Sequence, residues 1–177
     1  MPRMLRSGAL LALALSAPVL ASAQSTTSIH YNLAAGASLA AGSFGDRNDT
    51  SYNFMVGVGM EQPASALGFR AEGIYNEFSE KFGSDKSHAG GITGNVTYNL
   101  IQPSRTQSNT LYLIGGIGYY STKEPFFDFE SQSNVGYNIG GGFKFPLSGF
   151  SAYVEARYHT VSNVDVKFVP ISFGLVF

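Results

Sequence analysis

Hydrophobic and polar positions alternate along most of this chain with a period of two. The alternation is strictest over residues 167–177, where Val169, Ile171, Phe173, Leu175 and Phe177 share one face and Phe168, Pro170, Ser172, Gly174 and Val176 the other. Side chains alternate across a strand, so this stretch predicts a strand with one wholly apolar face. Seven earlier segments read the same way, at 29–41, 50–60, 67–79, 88–100, 110–121, 133–145 and 150–160, with turn chemistry between them and no convincing helical period. In 50–60, for example, Tyr52, Phe54, Val56, Val58 and Met60 oppose Asn53, Met55, Gly57 and Gly59. Residues 42–49 read as a loop. Glu77 enters the apolar phase of the third segment, so the pattern there is expected to end or slip.

The first residues follow a different rule. Arg3 and Arg6 precede an apolar run from Gly8 to Leu20 and then Ala21-Ser22-Ala23, the charged, apolar and small-residue order of a secretory signal peptide. Residues 1–23 are therefore expected to be removed, leaving 24–177 as one domain. No later run approaches the roughly 18 apolar residues of a transmembrane helix. The chain has no cysteine, so an exported domain would hold together without disulfides.

Composition decides which way the apolar faces point. Charged residues are 13% of the chain, against about 25% in a typical soluble domain. The polar faces carry mostly Gly, Asn, Ser and Thr, which suits the packed interior of a narrow barrel better than a water-facing skin. Reading alternate segments in opposite directions, Tyr31, Phe69, Tyr98, Phe145, Phe150 and Phe177 gather at one rim of the apolar face. Tyr52, Tyr75, Tyr119 and Tyr158 gather at the other. Two aromatic girdles match the two interfaces of a bilayer. In hydrocarbon every backbone group must pair, so strands span only when closed, and the last must pair with the first. The prediction is an all-β fold, an eight-stranded antiparallel up-and-down transmembrane β-barrel. With a net charge of −1 and no basic cluster, no nucleic-acid partner is expected.

The signal peptide, the eight segments, the run Tyr153-Val154-Glu155-Ala156-Arg157-Tyr158 and the ending Ser172-Phe173-Gly174-Leu175-Val176-Phe177 together resemble the small eight-stranded outer-membrane barrels typified by OmpX and the OmpA transmembrane domain. The resemblance implies a monomer in the bacterial outer membrane, with outer-membrane lipid around it. It also implies that Phe177 is the signal read by the barrel assembly machinery. Family members often carry longer outer loops than this chain, whereas the 102–109 connection is long for a periplasmic turn.

Candidate chemistry lies inside and at the loops. Segments three and seven are four apart and so face each other across the axis, with Arg70 and Glu72 inward on one and Glu155 and Arg157 inward on the other. These are expected to form a buried ion-pair network, with Lys144 and Tyr153 at its margins and inward glycines making room. Buried charges are tolerable only when paired. A charge-lined narrow pore and a soluble ligand-binding barrel are the alternatives. His159 and Ser162 are candidates for a lipid A deacylase pair, but their spacing of three and the inward phase of His159 argue against it. No catalytic residue, metal site or cofactor is expected, since the three histidines are dispersed. The 122–132 loop offers Phe126, Phe127 and Phe129 among acidic residues as a surface contact for an unidentified partner.

Overall fold

The computed structural model describes residues 27–62, 65–82, 86–101, 109–123 and 132–177. The signal-peptide region therefore lies outside the described residues. Eight long strands form: β1 Ser28–Ala41, β2 Ser51–Glu61, β3 Leu67–Glu80, β4 Lys86–Asn99, β5 Thr110–Lys123, β6 Gln132–Pro146, β7 Ser151–Val161 and β8 Val166–Val176. Each pairs antiparallel with the next. The pairing of β8 with β1 closes the sheet, so no long edge is left unpaired. The seam runs to the last residue: Phe177 N–H donates to the Tyr31 carbonyl at 2.9 Å, and Tyr31 N–H donates to the Phe177 carbonyl at 3.0 Å.

The register fixes the shape of the barrel. A circuit of paired residues leaves His30, passes Gly59, Arg70, Asn95, Gly116, Asn138, His159 and Phe168, and returns to β1 at Ala40, ten residues further on. Such a stagger tilts the strands steeply, in the roughly 35–45° range of closed barrels, and eight strands leave an interior just wide enough for side chains. The small inward residues and the large outward ones follow from that cross-section.

Outward positions are exposed and apolar. Ile92, Ile117 and Ile139 stand 71%, 69% and 65% exposed, values that make sense only against lipid. Tyr31, Phe69, Tyr98, Phe150 and Phe177 are exposed near the terminal end, and Tyr52, Tyr75, Tyr119, Tyr137 and Tyr158 near the other. Between these girdles the outward positions of the described strands carry no charged side chain. At 14 and 15 residues, β3 to β6 exceed the roughly 9–11 that cross a bilayer. These strands extend past the girdle at the end away from Phe177.

Two local expectations change. Residues 42–49 are not merely a loop: Gly42–Arg47 form a short helix, α1, and Asn48–Asp49 pair with Ser79–Glu80. Gly42, at φ 61°, makes the left-handed turn out of β1 that a side chain would strain. The helix sets Phe44 into the barrel mouth, where it is buried. Nor does the strand end or its register slip at Glu77: pairing continues with Glu77 opposite His88 and Phe78 opposite Ser87, although burial stops alternating, since Asn76, Glu77 and inward Phe78 are all buried. Glu77 stays outward because its carboxylate is covered by Tyr52 and Lys86, which removes the cost of burying it alone.

Candidate functional site: a filled lumen

The polar face of every strand converges on the axis, and the charges of β3 and β7 meet there. Arg70 Nη2 donates to Glu155 Oε2 at 2.5 Å, and Arg157 Nη1 donates to Glu72 Oε2 at 2.7 Å, each bond crossing the barrel. Within a strand, Arg157 Nε lies 2.8 Å from Glu155 Oε1, and Arg70 Nε lies 3.4 Å from Glu72 Oε1. Two cations and two anions thus form a closed ring whose side chains are at most 7% exposed.

The carboxylates take further donors. Tyr112 Oη donates to Glu155 Oε2 at 2.7 Å. Asn32 and Asn95 side-chain amides donate to Glu72 at 3.0 and 2.9 Å, and Asn138 in turn donates to Asn95 Oδ1 at 2.9 Å. The Arg70 guanidinium sits 5.6 Å from the Tyr153 ring centre and 5.8 Å from that of Tyr112. A carboxylate has more lone pairs than one guanidinium can use, so these neutral donors make the burial of charge tolerable. Sequence analysis does not assign Tyr112, Asn32, Asn95 or Asn138 to this network. Their inward phase and polar type were the available signal.

Lys144 does not join this ring. It lies nearer the terminal end and donates to both oxygens of Glu61 at 2.8 and 2.9 Å. His30, Glu61, Asn99 and Lys144 line the narrow cleft that enters the barrel from that side. Inward glycines make the crowding possible: a Cβ at Gly142 would stand 2.4 Å from Tyr112 Oη, at Gly174 2.3 Å from the Tyr153 ring, and at Gly57 2.7 Å from Glu72 Cγ.

At the far end the lumen is shut by rings. Phe44 meets Phe78 edge-on at 5.0 Å, Phe78 meets Phe168 at 5.6 Å, and Phe168 stacks on His159 at 4.9 Å with an interplanar angle of 11°. Tyr120 Oη lies 2.9 Å from His159 Nδ1. His159 is fully buried inside the barrel while Ser162 is exposed on the following turn, so the two do not form a lipid-accessible nucleophile and base. Ser43 donates to Asp165, and Lys167 lies 2.9 Å from the same carboxylate, tying α1 to the β7–β8 turn. Hydrogen bonding from Ser43, with help from Lys167, holds the Asp165 carboxyl below its ordinary value. Phe126, Phe127 and Phe129 lie outside the described residues.

A closed, tilted eight-strand barrel with an apolar belt, two aromatic girdles and a polar packed interior is the architecture of a transmembrane β-barrel. The chain belongs to the outer membrane protein beta-barrel domain family, whose model matches residues 7–177. It is accordingly a protein of the bacterial outer membrane. The crystal structure of neisserial surface protein A is similar, with a TM-score of 0.61 at 15% identity over 85% of this chain and 97% of that one. So are the N-terminal barrel domain of Pseudomonas aeruginosa OprF (TM-score 0.52, 14% identity, 84% and 97% covered) and the outer membrane enzyme PagL (TM-score 0.52, 16% identity, 84% and 98% covered). At these identities the likeness is one of fold. No curated protein matches the chain by sequence.

Proposed function

We propose that this barrel is a structural and surface-interacting protein of the outer membrane, and that its lumen is a packed core instead of a conduit. The observation carrying this reading is the pair of cross-barrel bonds, Arg70–Glu155 and Arg157–Glu72, which stretch side chains across the whole interior. The aromatic stack beneath Phe44 blocks the same axis a second time. With transport through the axis closed, what the barrel offers its surroundings is its lipid belt and its projecting hairpins. A neisserial surface protein is among the similar folds, which fits this reading.

The start of β1 and the end of β8 lie at one end, and we place that end in the periplasm, from which an exported chain enters the membrane. The far end, with α1 and the ends of β3 to β6 that extend past the girdle, then faces outward. Phe126, Phe127 and Phe129 are the residues proposed to contact a partner there, and Phe177 the residue that engages the assembly machinery.

Purified protein in planar bilayers should show no large, reproducible conductance, and regular open-channel steps would overturn the filled-lumen reading in favour of a narrow pore. Orientation is tested separately. Because the chain has no cysteine, a single Asp46→Cys on α1 should react with an impermeant maleimide on intact cells while Ser148→Cys in the β6–β7 turn should not; the reverse pattern would invert the topology.

A further inference from the structure

Seven of the eight strand pairings in the barrel wall run without a gap. Between β7 and β8 the ladder holds from Ser151 opposite Val176 to Ala156 opposite Ile171, skips two positions, and resumes in the same register with His159 opposite Phe168. The skipped residues of β8 are Val169 and Pro170. Successive residues of a strand aim their backbone groups at opposite neighbours. Phe177 exchanges both its bonds with Tyr31 of β1, so by alternation Pro170 aims its backbone at β7, opposite Arg157. Proline has no N–H, and the ladder bond to the Arg157 carbonyl cannot form. The other side of β8 is intact, with Pro170 paired opposite Ser38 in an unbroken seam. A proline inside a sheet is a defect, more so in a membrane wall where backbone groups lack water.

Beyond the defect, the hairpin packs on itself. His159 stacks on Phe168 across its two arms at 4.9 Å and 11°. Its side-chain ties to the rest of the lumen include Tyr120 Oη, 2.9 Å from His159 Nδ1, and the Phe78 ring, 5.6 Å from that of Phe168. His159 Nε2 is buried and has no hydrogen-bond partner, so one bond holds this ring to the neighbouring wall. At the tip, Ser43 of α1 donates to Asp165. The outer arms are laddered to β6 at 136–138 and to β1 at 39–41, three pairs on each side. These pairs lie at and beyond the tyrosine girdle, where water can replace a broken bond.

We infer that the outer end of the β7–β8 hairpin, residues 158–169, is a flap hinged at Arg157 and Pro170 and latched to α1 through Asp165. Swinging outward, it withdraws His159 and Phe168 from the aromatic stack and bares Phe44 and Phe78, turning the plugged mouth into an open aromatic cup. The ring of Arg70, Glu72, Glu155 and Arg157 stays shut below, so the flap uncovers a surface and not a channel. The hinge does not depend on which side of the membrane this end faces.

The test is amide hydrogen exchange by NMR on the full barrel in phospholipid nanodiscs. Amides of 158–169 should exchange at least tenfold faster than those of 74–78 on β3, which cross the same girdle. Pro170→Ala restores the missing N–H and should slow exchange in the hairpin by about fivefold, the effect of one net hydrogen bond, while 74–78 keep their rates. Ser43→Ala removes the latch and should speed exchange in the hairpin alone. Wild-type rates in the hairpin as slow as those of 74–78 would overturn the flap, and this comparison decides by itself if Pro170→Ala does not refold. Slowing spread evenly over the whole barrel in Pro170→Ala would also overturn it, since the proline would then weaken the fold generally and not act as a hinge.

Discussion

At the scale of single residues, Arg70, Glu72, Glu155 and Arg157 were legible in the sequence because phase and strand count alone bring them together. Their hydrogen-bond partners were less so. An inward Tyr or Asn looks the same whether it caps a carboxylate or merely fills space, and only the barrel's stagger decides that Tyr112 reaches Glu155 while Asn95 reaches Glu72. The distinction matters energetically. Removing one member of a buried pair strands its partner, at a cost of about 3–5 kcal/mol, whereas replacing both with apolar groups can be nearly neutral. Glu72→Gln should therefore destabilise the refolded barrel by several kcal/mol, and adding Arg157→Met should recover part of that loss. Urea titrations in lipid vesicles followed by heat-modifiable migration will show it, and additive losses would mean that the ring is not a coupled unit.

At the scale of elements, the strands were readable to within a few residues because the bilayer enforces alternation on every one of them. What local pattern could not supply was α1, a helix too short to show a period. Its reason is tertiary: Phe44 has a hole to fill between Phe78 and the β8 end of the lumen. Glu77 misleads for a similar reason, since its acceptors' partners, Tyr52 and Lys86, come from other strands. The link between α1 and the β7–β8 turn has a pH signature. The Asp165 carboxyl is held below its ordinary value of 3.8 by Ser43 first and Lys167 second. A group lowered on folding stabilises the folded arrangement above its unfolded value, and that contribution is lost as pH falls through the folded one. A nitroxide on Asp46→Cys should thus gain mobility as pH is lowered from about 6 to about 2, below the depressed value. With Asp165→Asn it should be equally mobile at both, and an unchanged pH response in that variant would remove Asp165 as the latch.

At the scale of the whole molecule, closure is the organising fact. The barrel is stable in hydrocarbon only if β8 finds β1, since each open pair of backbone groups costs several kcal/mol there. Ten register pairs join the two strands, from Asn32 opposite Val176 to Ala41 opposite Lys167, and the reciprocal bonds between Tyr31 and Phe177 finish the seam. Phe177 is 61% exposed, and its ring lies 6.1 Å from that of Phe150. Packing therefore gives it only a modest part in the stability of the finished barrel, about 0.5–1.5 kcal/mol for such an aromatic contact. Under the proposed role in assembly, this exposed aromatic is read before closure, and that makes a distinct prediction. Phe177→Ser should leave the purified, refolded barrel with nearly wild-type resistance to urea, yet sharply lower the folded, heat-modifiable protein recovered from outer-membrane fractions of expressing cells. Equal recovery in cells would show that the residue is only part of the lipid belt. Lower recovery matched by an equal loss of stability in vitro would place its importance in the seam instead of in assembly.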